Sequence, residues 1–208
     1  MSFLQDTKDV IRAELQSLAS LPSEYRDALS EQSGFIRSVR LQKHLPQGAN
    51  LTTLHFLKEV SVSGYCVHAI RFEDTAKVWW ILFCLVLLEP TGQWTIKECS
   101  GLAGNTAMSR PPHLRPTVQL YGNPDAPFYA GGFVIDDQHV GIQRVRLQTP
   151  SEMLEDTVLD NLVLYVHSES ISLPIQAKLY NAESNLVETH TITLLPMREL
   201  KSQLNIDM

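Results

Sequence analysis

Leu4, Ile11, Leu15 and Leu18 recur at spacings of seven, four and three, while Asp6, Lys8, Asp9, Arg12 and Glu14 fall largely on the other side. That pattern predicts an amphipathic helix at the start of the chain. Leu21-Pro22-Ser23 ends it, and Pro22 suits the first turn of a second, shorter helix through about Leu29, where its missing N–H costs nothing. Ser33-Gly34 closes this helical hairpin. Its single apolar face requires a sheet or another helix to cover it.

From Phe35 the period changes to two. Phe35, Arg37, Val39 and Leu41 alternate with Ile36, Ser38, Arg40 and Gln42, up to a turn at Leu45-Pro46-Gln47-Gly48. A further extended region covers Leu51 to Phe72, broken near Ser63-Gly64. The apolar run Val78 to Leu88 follows, then a turn signal at Glu89-Pro90-Thr91-Gly92 and a second alternating segment from Gln93 to Cys99. This predicts a β-hairpin with the apolar run as central strand. Strict alternation puts Trp94, Ile96 and Glu98 on one face of the second strand, with Thr95, Lys97 and Cys99 on the other. The run has 11 residues, well short of the ~20 that a membrane-spanning helix needs.

Ser100 to Pro112 is small, polar and punctuated by Gly and Pro, which marks a boundary. Beyond it, strand-like segments come at short intervals: Thr117–Tyr121, Phe128–Ile135, Val140–Gln148, Glu152–Leu159, Leu162–His167, Pro174–Tyr180 and Leu186–Leu194. Seven short strands in this span are the pattern of a β-sandwich. The segment resembles the broad immunoglobulin-like class at the level of fold, although it has no Cys and no Trp and so lacks that class's Cys…Trp…Cys framework. Leu200 and Leu204 allow a short closing helix. The expected fold is therefore mainly β with an α+β N-terminal part: a helical start over an antiparallel sheet in residues 1–100, a linker over 101–116, and a seven-stranded immunoglobulin-like β-sandwich with a short C-terminal tail in 117–208.

Charge sharpens this division. The net charge is −6, yet residues 1–116 carry 12 Lys/Arg against 11 Asp/Glu, and residues 117–208 carry 5 against 12. An acidic half repels phosphate backbones, and Arg37, Arg40 and Lys43 are too few for a basic stripe, so nucleic acid is not expected as a partner. Cys66, Cys84 and Cys99 include no C-x-x-C pair, and Cys84 lies within the apolar run. Buried thiols in a reducing compartment fit that usage. No secretory signal is visible in Met1 to Asp9, so the glycosylation-like Asn50-Leu51-Thr52 carries no weight, and a cytoplasmic protein without a membrane anchor is expected.

Candidate chemistry is sparse. Cys66 and His68, two apart on a strand, share a face, but a metal site needs further converging ligands. The plainer reading makes Cys66 core and His68 a partly exposed strand residue, and no metal and no cofactor are assigned. A Cys–His nucleophile pair fails on similar grounds, since reactive thiols sit at helix N-termini or in electropositive pockets. Asp136-Asp137-Gln138-His139 can bind a cation or act as acid and base, but Asp favours turns and a turn is expected there. Gly131-Gly132 is no phosphate loop; a bulge or close backbone approach explains it. No G-x-S-x-G elbow exists to recruit Ser168, Ser170, His167 or His190.

Adjacent Trp79 and Trp80 face opposite sides of a strand, and their apolar neighbours favour core for both. The expected function is a non-catalytic binding or assembly module, acting on a protein partner or as a homo-oligomer. The alternative is a small enzyme or ligand-binding protein with a pocket between the N-terminal helices and the sheet, lined by His68, Arg71, Trp79 and Trp80. Over residues 78 to 99, the strand hairpin ending in Gly92-Gln93-Trp94-Thr95-Ile96 is similar to cone-shaped nuclear-transport-factor-2-like domains, a resemblance that implies such a pocket.

Overall fold

A computed structural model describes residues 6–20, 49–75, 77–103 and 113–193. The expected second helix, the strand from Phe35 and the C-terminal tail lie outside them. The structure is mainly β, with antiparallel sheets throughout. The chain divides into two compact units, the first reaching Thr106 and the second running from Ala107 to Pro196. No helix among the described residues is long and apolar enough to cross a membrane.

In the first unit, helix α1 (Thr7–Ser20) starts at Asp6. The Asp6 carboxylate accepts from the Lys8 N–H at 3.0 Å, and its carbonyl accepts from the Asp9 N–H at 3.0 Å. Asp6 thus satisfies an end donor that the helix cannot pair internally. Four strands follow: β1 (Ala49–Val62), β2 (Tyr65–Asp74), β3 (Trp79–Leu88) and β4 (Trp94–Ala103). They form one sheet in sequence order. The turn between β1 and β2 falls at Ser63-Gly64, where Gly64 has a φ of 78°, open to glycine at little cost.

Ile11 and Leu15 of α1 share a buried cluster with Cys66, Ile70 and Phe72 of β2, Trp80, Leu82, Cys84 and Val86 of β3, and Cys99 of β4. On the opposite face of the sheet Val67, Ala69, Phe83 and Leu85 are also fully buried. The apolar run is therefore covered on both faces over Leu82–Val86, which explains why it does not alternate.

One expectation about β4 needs correction. Leu85 pairs with Glu98 but Val86 pairs with Ile96, so a bulge intervenes at Lys97. An extra residue reverses the parity of all that follows. Cys99 consequently joins Trp94 and Ile96 on the α1 side, and Glu98 does not share their face. β4 also continues to Ala103, three residues into the stretch read as linker.

The second unit contains β5 (Thr117–Asn123), β6 (Phe128–Ile135), β7 (Ile142–Gln148), β8 (Met153–Thr157), β9 (Leu162–His167), β10 (Ile175–Asn181) and β11 (Leu186–Ile192). Each of the seven strand-like segments forms one strand. One sheet has the order β5-β6-β9 and the other β11-β10-β7-β8. Both sheets contribute to a single cluster that includes Leu120, Phe128, Val145, Leu147, Val163, Ile175 and Leu179. Tyr165 is buried there and its hydroxyl donates to the Val145 carbonyl at 2.9 Å, so its polar end is satisfied inside an apolar core.

Between β6 and β7, Asp136 accepts from the N–H groups of Val140, Gly141 and Ile142 at 3.0, 2.8 and 3.3 Å. Asp137 accepts from the His113 N–H at 2.8 Å. Asp136 is a turn-forming group here, whereas Asp137 ties the turn to the segment that precedes β5. Gly132 follows the same logic of close approach without a bulge. The β5–β6 register is continuous through Gly131-Gly132, and a Cβ at Gly132 would run into the Gln119 carbonyl oxygen. Gly132→Ala must push two hydrogen-bonded strands apart. We expect it to destabilise the protein by about 2–4 kcal/mol, as overpacked or strained core positions do. Urea unfolding checks this, and a melting curve that superimposes on the parent's contradicts it.

Candidate functional site

β1 and β2 run antiparallel with Glu59 opposite His68 and Ser61 opposite Cys66. Directly paired residues share a face, as do residues two apart on one strand. Glu59, Ser61, Cys66 and His68 therefore project together. Their neighbour is the first turn of α1. Thr7 Oγ1 lies 2.9 Å from His68 Nε2, and Lys8 Nζ lies 3.1 Å from Glu59 Oε2. Cys66 Sγ is 3.2 Å from His68 Nε2 and accepts a hydrogen bond from the Ser61 hydroxyl at 3.2 Å. Phe56 meets the imidazole edge-on at 5.6 Å, and its own ring carries Arg12 at 5.1 Å and Lys8 at 5.8 Å.

His68 is completely buried, not partly exposed as alternation along the strand suggested. The difference lies in α1, whose first turn covers this end of β2. Of the two imidazole nitrogens, Nδ1 is buried without a hydrogen-bond partner, and Glu59 Oε2 stands 3.7 Å from it. Burial pushes the Cys66 thiol above its ordinary value; Glu59 adds to the rise and the Ser61 hydrogen bond works against it. Burial also pushes the His68 imidazole below its ordinary value, opposed by the Glu59 carboxylate. Both shifts favour a neutral thiol beside a neutral imidazole. A thiolate–imidazolium nucleophile needs the reverse. Among the described residues, Glu59, Cys66 and His68 form the group of three potential metal ligands, with donor atoms all within 4.8 Å of one another.

The four residues expected to line a pocket do not come together. Trp80 lies in the α1-side core with its indole N–H donating to Asp74 Oδ2 at 3.0 Å. Arg71 and Trp79 are on the other face, the guanidinium 5.3 Å from the indole ring. His68 and Trp80 share a face but not that one. Glu59 escaped sequence reasoning altogether, because nothing in the spacing of residues 59 and 68 announces that they are cross-strand partners.

In the second unit the outward face of β11-β10-β7-β8 has a distinct composition. Arg144 and Arg146 of β7 both pack against the Tyr180 ring of β10, at 5.0 and 5.2 Å from its centre. Both arginines also pair with Glu155 of β8, at 3.3 and 2.7 Å. Lys178 stands beside them, opposite Arg146 in the register, and Met153 and Leu186 expose large apolar side chains on the outer strands. Comparison of the chain with protein-family models, with curated proteins and with solved structures finds no match.

Proposed function

We propose that the protein is a non-catalytic binding or assembly module whose second unit is an immunoglobulin-like β-sandwich that grips an acidic protein segment. The fold part of this reading is supported by the three-plus-four strand order around one shared core, with chain crossings between the sheets after β6, β8 and β9. The observation that carries the binding part is Tyr180 with both Arg144 and Arg146 packed against its ring. Tyr and Arg dominate binding hot spots because each offers a large, stiff contact area with polar reach. Strands hold them in place more firmly than loops would.

Three cations against the single carboxylate of Glu155 make this a basic face on an acidic unit, which selects a partner rich in Asp and Glu. The neutral Cys66–His68 pair lends no support to the alternative of a small enzyme. The three thiols, all buried and unbridged, support a cytoplasmic setting.

Acidic peptides that carry one Leu, Phe or Tyr are the probe. The full chain is expected to bind such peptides saturably and more weakly as salt rises. Arg144→Gln/Arg146→Gln should weaken binding at least about tenfold while leaving the melting temperature close to the parent's, because exposed ion pairs contribute only about 0–1 kcal/mol. Absence of binding by the parent, or equal binding by the variant, refutes the assignment.

A further inference from the structure

We infer that Glu59, Cys66 and His68 form a binding site for one zinc-class divalent ion, held by a carboxylate, a thiolate and an imidazole beneath the first turn of α1. The residue pattern alone assigned no metal here; the strand register supplies what it lacked. A C-x-H pair on one strand with a third donor directly opposite on the next makes a tripod on one face of a sheet. One donor atom from each residue lies within 4.8 Å of the others; Cys66 Sγ now rests 3.2 Å from His68 Nε2 and has to turn toward the Nδ1 side as the ion enters. A tetrahedral zinc ion with bonds of about 2.0–2.3 Å spaces its ligand atoms about 3.4–3.6 Å apart. The separation of His68 Nδ1 from Glu59 Oε2, 3.7 Å, is close to that edge length. It is too long for a hydrogen bond.

A second observation points the same way. His68 Nδ1 is sealed from solvent without a partner, and native interiors seldom leave a polar atom in that condition. In the tautomer that donates Nε2–H to Thr7 Oγ1 at 2.9 Å, Nδ1 directs its lone pair toward Glu59. That is how metal-bound histidines are usually held, with the far nitrogen donating to a fixed acceptor. Thr7 is then a positioning residue, and α1 is the element that sets the imidazole.

The donor set defines the ion. Thiolate and imidazole favour zinc or cobalt over magnesium and calcium, which prefer oxygen ligands alone. Two anionic ligands balance the dication, and the Cys66 proton leaves for solvent as the metal–sulfur bond forms. The other charges at the site are Lys8 and Asp6. The Lys8 ammonium now occupies Glu59 Oε2 at 3.1 Å and must yield that oxygen to the ion. It can do so because its side chain, like that of Glu59, is partly exposed. Three protein ligands leave a fourth position to water. This inference stands apart from the proposed peptide-binding face, since it concerns only the first unit.

The test uses the full chain after chelator treatment, with Zn²⁺ and Co²⁺ as probes. Equilibrium dialysis should find one ion per chain, and Co²⁺ should produce a thiolate-to-cobalt charge-transfer band. Cys66→Ser should abolish the band, whereas Cys84→Ser should retain it. Glu59→Gln, at a partly exposed position that does not threaten folding, should weaken affinity at least about tenfold. A parent chain that binds neither ion stoichiometrically overturns the site. So does a band that survives in Cys66→Ser, or an affinity unchanged in Glu59→Gln.

Discussion

Phe83→Asp and Leu82→Asp are both expected to leave the first unit unfolded, although the two side chains point to opposite faces of β3. Each is fully buried: Leu82 lies within the cluster beneath α1, and Phe83 lies on the other side with Val67, Ala69 and Leu85. A carboxylate introduced at either place has to remain charged in a poor solvent or take up a proton, and both outcomes cost several kcal/mol. Domains of this size have only about 5–15 kcal/mol to lose. Leu88→Asp, at the end of the same strand and 39 % exposed, should by contrast retain a cooperative transition near the parent's melting temperature. Circular dichroism and thermal melting of the three variants decide the matter. If either inner variant melts like the parent, that face of β3 is open, and the sheet is covered on one side only.

Asp74→Ala should cost about 3–5 kcal/mol without changing the dependence of stability on urea concentration. Asp74 is 2 % exposed, yet it is where β2 turns toward β3. Its carboxylate accepts from the Val78 N–H at 2.9 Å and from the Trp80 indole N–H at 3.0 Å. Its backbone N–H donates to the Val78 carbonyl, and its carbonyl accepts from the Lys77 N–H. Removing the side chain strands a buried indole donor and a backbone donor. Each is worth about 1–3 kcal/mol when its partner was charged. The cause can be separated from simple cavity formation. Trp80→Phe deletes the same indole donor, so its cost in the Asp74→Ala background should be smaller than in the parent, by the coupling of about 1–3 kcal/mol typical of directly bonded pairs. Strict additivity in that double-mutant cycle would show that the hydrogen bond contributes nothing measurable.

Most strands of the second unit were legible in the chain because they are half-buried, while β6 and β9, buried almost throughout, show as apolar runs bounded by turn residues. Val145 and Leu147 face the core while Arg144, Arg146 and Gln148 face out, and an alternation of that kind is written directly into the order of residues. The turns were legible for a related reason, since Asp136 and Gly64 act on backbone within a few positions of themselves. The β3 run was recognisable as interior from its lack of any polar residue. So was the start of α1, from the spacing of Ile11 and Leu15. Properties that depend on neighbours in the sequence are carried by the sequence.

What remained was decided between segments. The bulge at Lys97 moved Cys99 across the sheet to stand opposite Cys84, and no local signal distinguishes a residue that pairs from one that is skipped. His68 reads as a polar strand residue until α1, sixty-one positions earlier, lays Thr7 over it. Glu59 reads as an ordinary surface carboxylate until the β1–β2 register sets it opposite that imidazole. Tyr180 and its two arginines are on strands that meet only after β8 and β9 have intervened. In the sequence alone, local backbone preference and the hydrophobic period determined the strands and helix α1. The register and the docking of α1 determined which polar groups met, because the energy of those contacts depends on distances that no single segment contains.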